Sequence, residues 1–326
     1  PLFFVAENWL FTMSELNYPW FDFGYALDYY LTLIQAADIG GVYLISILIL
    51  AFNMMIYVSI SPKFNLASRN RRIIRFGSLA IIAFLFIYGA IRLSGSNKEF
   101  EGNSLSVGLI QSNMTEDLKW DPQNLQMNFD RHFDLSRKAV MQGARFLIWP
   151  ETAIPAYILQ EKQKYFRIKT FVDSLNVPIL TGIPYYETLG PNQYVYFNSA
   201  ALLKPNTDGY TLYSKVHLVP VSERIPFSDR FKILKDIHLG QADFSSGREQ
   251  TVFNLDGFKF ATLICFESAF PGYCRDFAGK GAQFFVVITN DMWFGRTSLM
   301  EQHAMISVFR AIENRVPVVR AGNTGV

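Results

Sequence analysis

The chain has 326 residues, room for roughly two domains; half of them are apolar and only 18% are charged. That balance excludes a disordered chain, and an aromatic content of 16% leaves more apolar surface than one water-soluble core hides. A net charge of +2 without long basic runs excludes a dedicated nucleic-acid binder, and two cysteines exclude a disulfide scaffold.

Charge is unevenly placed: residues 1–93 hold 6 Lys/Arg and 5 Asp/Glu, whereas 94–326 hold 24 and 23, so only the second part has the composition of an ordinary soluble domain. Residues 1–10 are apolar enough to be the tail of an earlier span. Residues 19–30, rich in Trp, Phe and Tyr, suit an interfacial loop. Residues 39–60 form an uncharged apolar run that would rise about 33 Å as a helix, enough to cross a bilayer. A second run, 73–93, carries Arg75 and Arg92 near its ends, where long side chains reach back to the interface. The loop at 61–75 holds Lys63, Arg69, Arg71, Arg72 and Arg75 with no acid, which places it in the cytoplasm and everything after residue 93 on the outer side. The start at Pro1 and the end at Asn323-Thr324-Gly325-Val326 read as a piece of a longer membrane protein. The expected division is a partial transmembrane domain at 1–93, a polar linker at 94–103 and a catalytic domain, cut short at its C-terminal end, at 104–326.

After the linker the pattern alternates. Short β-rich runs at 105–110, 146–149, 177–182, 194–203, 258–265 and 284–289 are separated by helical stretches at 122–142, 160–175 and 301–314, which predicts an α/β domain. Asp256-Gly257 between 251–255 and 258–264 signals a hairpin and therefore a mixed sheet.

Reactive side chains in α/β folds sit just past strand ends. Here Trp149-Pro150-Glu151 follows one apolar run, Lys215 follows Tyr213-Ser214, and Cys265-Phe266-Glu267 follows Ala261-Thr262-Leu263-Ile264. A carboxylate, an amine and a thiol would thereby converge. Taken singly, a cysteine ending a strand is most often an inert core residue, and a lone Glu or Lys there is most often solvated.

Together these residues resemble the nitrilase superfamily, whose members carry a Glu–Lys–Cys triad in this chain order on an α-β-β-α sandwich. With the preceding spans, the motifs Trp149-Pro150-Glu151-Thr152-Ala153, Lys215-Val216-His217-Leu218-Val219-Pro220, Cys265-Phe266-Glu267 and Asn290-Asp291-Met292-Trp293-Phe294-Gly295 resemble the apolipoprotein N-acyltransferase family. Two features depart from it: Phe266 stands where the family usually has Tyr, and the family's membrane domain is only partly present.

The resemblance implies Cys265 as nucleophile, Glu151 as base and Lys215 as oxyanion stabiliser. Glu223 or Glu267 would hold the lysine, and the Phe266 backbone N–H would be a second oxyanion donor. Burial beside Trp149 and Pro150 should raise the pKa of Glu151 toward working pH. The implied reaction moves an acyl chain from a phospholipid through a Cys265 thioester to the α-amine of a diacylglyceryl-cysteine apolipoprotein, in a ping-pong order, at the outer face of a bacterial inner membrane. No cofactor or metal is required, and His132, His217, His238 and His303 show no metal spacing. Trp120 matches a family tryptophan linked to function, or else anchors a helix start. Trp149, Phe227, Phe231 and Trp293 are candidates to line the substrate site. Segments 154–166 and 225–244 are candidate apolar lids against water, or surface loops with one packed face. Cys274 reads as a packed free thiol, and Arg310 with Glu313 as an ordinary i,i+3 ion pair. Two other functions fit the same residues: a membrane-tethered amidase or nitrilase-like hydrolase, and a catalytically silent lipoprotein-binding scaffold.

Overall fold

A computed structural model describes residues 1–96, 104–234, 243–295 and 297–325, and the chain divides into two compact units. The helical unit takes Pro1–Gly102 together with Ala269–Arg275 and Met305–Val316, so two short segments from the expected catalytic domain belong to it. They join because Phe309 and Ile312 bury their apolar faces with Ile34, Val42, Ile45 and Leu85. Among its other described residues are helices α1 (Leu2–Phe11), α2 (Leu31–Ile34), α3 (Ala37–Ile60) and α4 (Ser68–Ser96).

Two of these, α3 and α4, are long and apolar enough to cross a membrane. Their side chains Ile60, Ile73, Phe76, Leu79 and Phe86 are exposed, which suits lipid rather than water. Both helices outrun the apolar runs that announced them. In α4 the basic loop itself becomes the first helical turns, and Arg71 donates to the carbonyls of Leu66 and Phe64. Residues 94–96 of the expected linker continue that helix; the remainder, 97–103, lies outside the described residues. α3 is not continuous, since Gly40 and Gly41 leave helical geometry, Gly41 with φ +67°. The helix restarts at Val42, whose N–H donates to Glu313 Oε1 at 2.8 Å, so a buried carboxylate caps it.

The second unit is the α/β domain. Its first sheet orders β1 (Val107–Leu109), β2 (Phe146–Ile148), β3 (Ile179–Gly190), β4 (Gln193–Leu203) and β5 (Thr211–Ser214). The β1–β2–β3 pairs are parallel and the β3–β4–β5 pairs antiparallel. Helix α5 (Glu116–Trp120) follows β1, α6 (Leu125–Met141) leads to β2, and α7 (Lys162–Leu175) connects β2 with β3. α6 and α7 cover this sheet: Phe129, Phe133, Ile168, Phe171 and Val172 pack on Leu147, Trp149 and Ile179.

The second sheet orders β6 (Val252–Leu255), β7 (Phe258–Ile264), β8 (Phe284–Thr289) and β9 (Val318–Gly322). β6 and β7 form the antiparallel hairpin predicted from Asp256-Gly257, and both turn residues have positive φ (50° and 93°), as that turn demands. β7, β8 and β9 are parallel, with α8 (Pro271–Gly279) and α9 (Leu299–Asn314) as the intervening helices. The sheets face each other, Phe146 meeting Phe260 at a ring distance of 5.4 Å. This is a nitrilase-like fold of two mixed sheets. Strands β5 and β9 and helices α5 and α8 lack a distinct apolar run in the sequence, which is why the alternation pattern did not announce them.

Candidate active site

Glu151 lies three residues past the end of β2, where the chain turns so sharply that Thr152 takes φ 46°. β3 passes close by. A Cβ on Gly182 would come within 2.6 Å of the Glu151 Cα, so this strand position admits only glycine. The carboxylate is buried: Oε1 accepts from Asn198 Nδ2 at 2.7 Å and Oε2 from the Asn290 N–H at 2.9 Å. Burial holds its pKa above the ordinary carboxylate value, with Lys215 opposing and Glu223 adding to the rise.

Lys215 directly follows β5. Its backbone N–H donates to the Asn198 carbonyl at 2.8 Å, and its carbonyl accepts from the Gly247 N–H at 2.7 Å. The ammonium is 1% exposed and meets both Glu223 oxygens, at 2.9 and 2.8 Å. Burial alone would pull its pKa down, but Glu223, Cys265 and Glu151 outweigh it and keep the nitrogen charged. Of the two acids proposed to hold the lysine, Glu223 is the one placed against the ammonium. Glu267 is fully buried and its Oε1 accepts from the Tyr213 hydroxyl (2.6 Å) and from the backbone N–H groups of Val216 (2.7 Å) and His217 (3.2 Å). Its Oε2 accepts from the Ile264 N–H at 2.8 Å, so Glu267 fixes the chain after Lys215 to the end of β7.

Cys265 is the first residue past β7 and adopts φ 52°, a left-handed backbone that costs about 1–3 kcal/mol in a residue with a Cβ. Burial and the charge of Glu151 push the thiol pKa up, while Lys215 opposes the rise. A thiol so placed needs a neighbouring base to ionise it, and the carboxyl group electrostatically coupled to it is one whose own pKa is raised. A buried carboxyl, a buried ammonium and a half-buried thiol thus stand just past three strand ends, those of β2, β5 and β7.

Several expected residues sit elsewhere. Trp149 is not at a substrate surface: it is fully buried and donates its indole N–H to Ser136 Oγ at 2.9 Å, because its side chain faces α6. The expected lid at 154–166 is anchored by Ile154 and Ile158, both in the core under α6 and α7, which leaves it unsuited to a free flap. Of the other lid, Phe227 is half-buried with φ 61° and Phe231 is exposed, while 235–242 lies outside the described residues. The Phe266 ring is buried, and Trp293 is exposed. Trp120 is exposed and donates to Glu116 Oε2 at 2.7 Å; Glu116 Oε1 accepts from Asn290 Nδ2 at 2.6 Å. Hydrogen bonds therefore run from Trp120 through Glu116 and Asn290 to Glu151.

The sequence reading missed three contributors. Asn198 bridges Glu151 and Glu223, its Nδ2 donating to Glu223 Oε1 at 3.1 Å. Lys119 is buried and donates to the Glu151 carbonyl at 3.2 Å; burial pulls its pKa down to about 8 against the pull of Glu116 and Glu151. The third is a buried group around His303 and Asp291 behind Cys265. Cys265, Asp291 and His303 present donor atoms within 4.8 Å of one another. Both imidazole nitrogens already face other partners and Arg320 forms an ion pair with Asp291, so the donor set fits a hydrogen-bond network better than a metal. Only the motif Asn290-Asp291 hinted at this group, because His303 lies alone on an otherwise ordinary helix. Cys265 and Cys274 are both free thiols.

Comparison with known proteins accords with this geometry. The carbon-nitrogen hydrolase family model matches residues 106–326, and the apolipoprotein N-acyltransferase N-terminal domain model matches residues 1–55. A Geobacter metallireducens protein named apolipoprotein N-acyltransferase is 35% identical over 331 residues, covering 100% of this chain and 62% of that protein. An Aquifex aeolicus protein of the same name is 31% identical over 333 residues, covering 99% and 70%. The chain thus spans under two thirds of the Geobacter relative's length. Among solved structures, a variant of the Nesterenkonia AN1 amidase from the nitrilase superfamily has a TM-score of 0.50 and 21% identity, over 68% of this chain and 77% of that one, a likeness of fold.

Proposed function

The chain belongs to the apolipoprotein N-acyltransferase family of carbon-nitrogen hydrolases, and from that membership we propose that it transfers a fatty acyl chain from a phospholipid to the α-amine of a diacylglyceryl-cysteine on an apolipoprotein. The observation that carries this reading is the placement of Glu151, Lys215 and Cys265 just past the ends of β2, β5 and β7, with the Glu151 carboxyl and the Lys215 ammonium linked through Asn198 and Glu223.

In the first half-reaction Glu151 takes the thiol proton as Cys265 sulfur attacks the ester carbonyl. Lys215 steadies the oxyanion, with the Phe266 backbone N–H as a second donor. The C–O bond then breaks, Glu151 returns the proton to the departing alkoxide, and lysophospholipid leaves an acyl-Cys265 thioester. In the second, Glu151 takes a proton from the attacking amine, the C–S bond breaks, and the proton returns to the thiolate. Glu223 holds Lys215 where its charge serves both steps. The exposed side chains of Phe231 and Trp293 are suited to contact lipid, and the exposed apolar faces of α3 and α4 support a membrane setting. The basic loop after α3 then faces the cytoplasm and the catalytic domain the outer side.

Incubating the full chain with phospholipid vesicles and measuring the intact mass tests this. One acyl increment located on Cys265, discharged by a diacylglyceryl-cysteine peptide and absent in Cys265→Ala, is the expected result. An unmodified Cys265, or an adduct that only water discharges, overturns it; the latter would favour a hydrolase.

A further inference from the structure

Against the Cys265 backbone lies a second set of buried polar groups that the acyl-transfer steps do not use. Ser268, Thr289 and His303 are fully buried, Asp291 and Arg320 nearly so. Asp291 Oδ1 accepts from Thr289 Oγ1 at 2.6 Å and faces His303 Nδ1 at 2.8 Å, while its Oδ2 pairs with Arg320. Although burial raises its pKa, His303 and Arg320 more than offset that and bring it down to about 2, so the group is a carboxylate. A carboxylate only accepts, so Nδ1 of His303 donates to it. The other imidazole nitrogen, Nε2, lies 3.1 Å from both the Cys265 carbonyl and Ser268 Oγ; a carbonyl also only accepts, so the contact requires Nε2 to donate as well, with hydrogen on both ring nitrogens, and Ser268 Oγ donates to the same carbonyl at 3.0 Å.

Three facts about Cys265 converge on that carbonyl. Its backbone is left-handed, a conformation that a residue with a Cβ keeps only when its surroundings impose it. Its carbonyl lies against a rigid imidazole and a hydroxyl rather than in a strand ladder. Asp291 anchors that imidazole and is itself held by β9 through Arg320 and by the end of β8 through Thr289. We propose that His303 is the positioning residue of the nucleophile: oriented by Asp291, it clamps the Cys265 carbonyl together with Ser268 and so holds the sulfur aimed at the site of acyl transfer. This rests on the acyltransferase reading for its purpose, though not for its geometry.

The two nitrogens of His303 can be removed separately. Gln places an amide near the imidazole Nε2 position, and Asn places one near Nδ1. The measurement is the rate at which iodoacetamide alkylates Cys265 in the folded full chain in detergent, with Cys265 and Cys274 resolved by peptide mass. His303→Asn keeps the Asp291 contact and loses the clamp, and should alkylate about tenfold more slowly; His303→Gln keeps the clamp and should stay within about threefold of the parent chain. Ser268→Ala, which removes one hydroxyl and no charge, should slow alkylation about threefold and reads the same clamp should the histidine variants not fold. Equal rates for Asn and Gln, the reverse order, or an unchanged Ser268→Ala would overturn the proposal. Alkylation needs no lipid, so a parent chain that fails to form the acyl adduct but keeps this ordering would overturn the acyltransferase reading alone.

Discussion

Two buried ion pairs, one in each unit, make opposite use of the same chemistry. Arg310 and Glu313 stand one turn apart on α9, with Arg310 Nη2 3.0 Å from Glu313 Oε1; Lys215 and Glu223 stand eight residues apart on an irregular stretch, 2.8 Å apart. In the helical unit both charges meet groups that do not react. Arg310 donates to the Tyr25 hydroxyl at 3.2 Å and to the Ala269 carbonyl at 3.4 Å, and Glu313 caps the restart of α3 at Val42. In the α/β unit the ammonium neighbours Glu151 and Cys265, the two groups proposed to react. A buried pair is weak evidence of function in itself; what distinguishes these two is that Lys215 has a thiol and a second carboxyl at strand ends for neighbours, whereas a phenol, a backbone carbonyl and a helix N–H take up the other pair.

The largest effects should separate the pairs. Lys215→Met removes the charge that the oxyanion needs, and acyl-Cys265 formation, followed by quenched mass measurement, should fall by about a thousandfold. Arg310→Met should leave the Cys265 alkylation rate of the folded protein unchanged while unfolding in detergent shows a loss of about 3–5 kcal/mol, because Glu313 stays buried without its partner. Joining Glu313→Gln to Arg310→Met removes the stranded charge and keeps an acceptor for Val42, so the double variant should recover at least half of that loss. Should Arg310→Met silence Cys265 in folded protein, or Lys215→Met merely destabilise, the contrast between the pairs would collapse.

How far the sequence reveals this contrast depends on how local each signal is. The strands around the site were legible because apolar runs such as 284–289 are uninterrupted, and the β6–β7 hairpin because Asp256-Gly257 can take the positive φ of its turn. The acid and the thiol stood out because each closes such a run, and the amine because it opens the motif Lys215-Val216-His217-Leu218-Val219-Pro220. The Arg310–Glu313 pair was legible as a pair from its i,i+3 spacing, but its capping of Val42 joins residues 271 positions apart, and no window on the chain registers that. The same holds for Asn198, Lys119 and His303, single polar residues in unremarkable surroundings that matter only through what folding sets beside them. Trp149 misled for a related reason: proximity to Glu151 along the chain suggested a shared pocket, whereas its indole faces α6 and Ser136.

Lys119 gives the smallest and sharpest test, since it bears on the reactive cluster without pairing to Lys215. Its side chain donates to the Glu151 carbonyl, and Asn128 holds its own carbonyl at 3.1 Å. While charged, it favours the ionised form of Glu151 and so partly opposes the rise that burial imposes on that carboxyl. Lys119→Met should therefore raise the Glu151 pKa further and move the acid limb of acyl-enzyme formation to higher pH, by about one unit or less. The sign follows from the base being usable only when ionised: the variant is slower on the acid side. The gap should close above about pH 8, where Lys119 loses its own proton and the parent chain loses the benefit. Quenched acylation rates across pH measure the displacement. Arg310→Met should show none, because its pair neighbours no reacting group; a displacement there, or superimposable profiles for Lys119→Met and the parent, would show that charge alone does not set the two pairs apart.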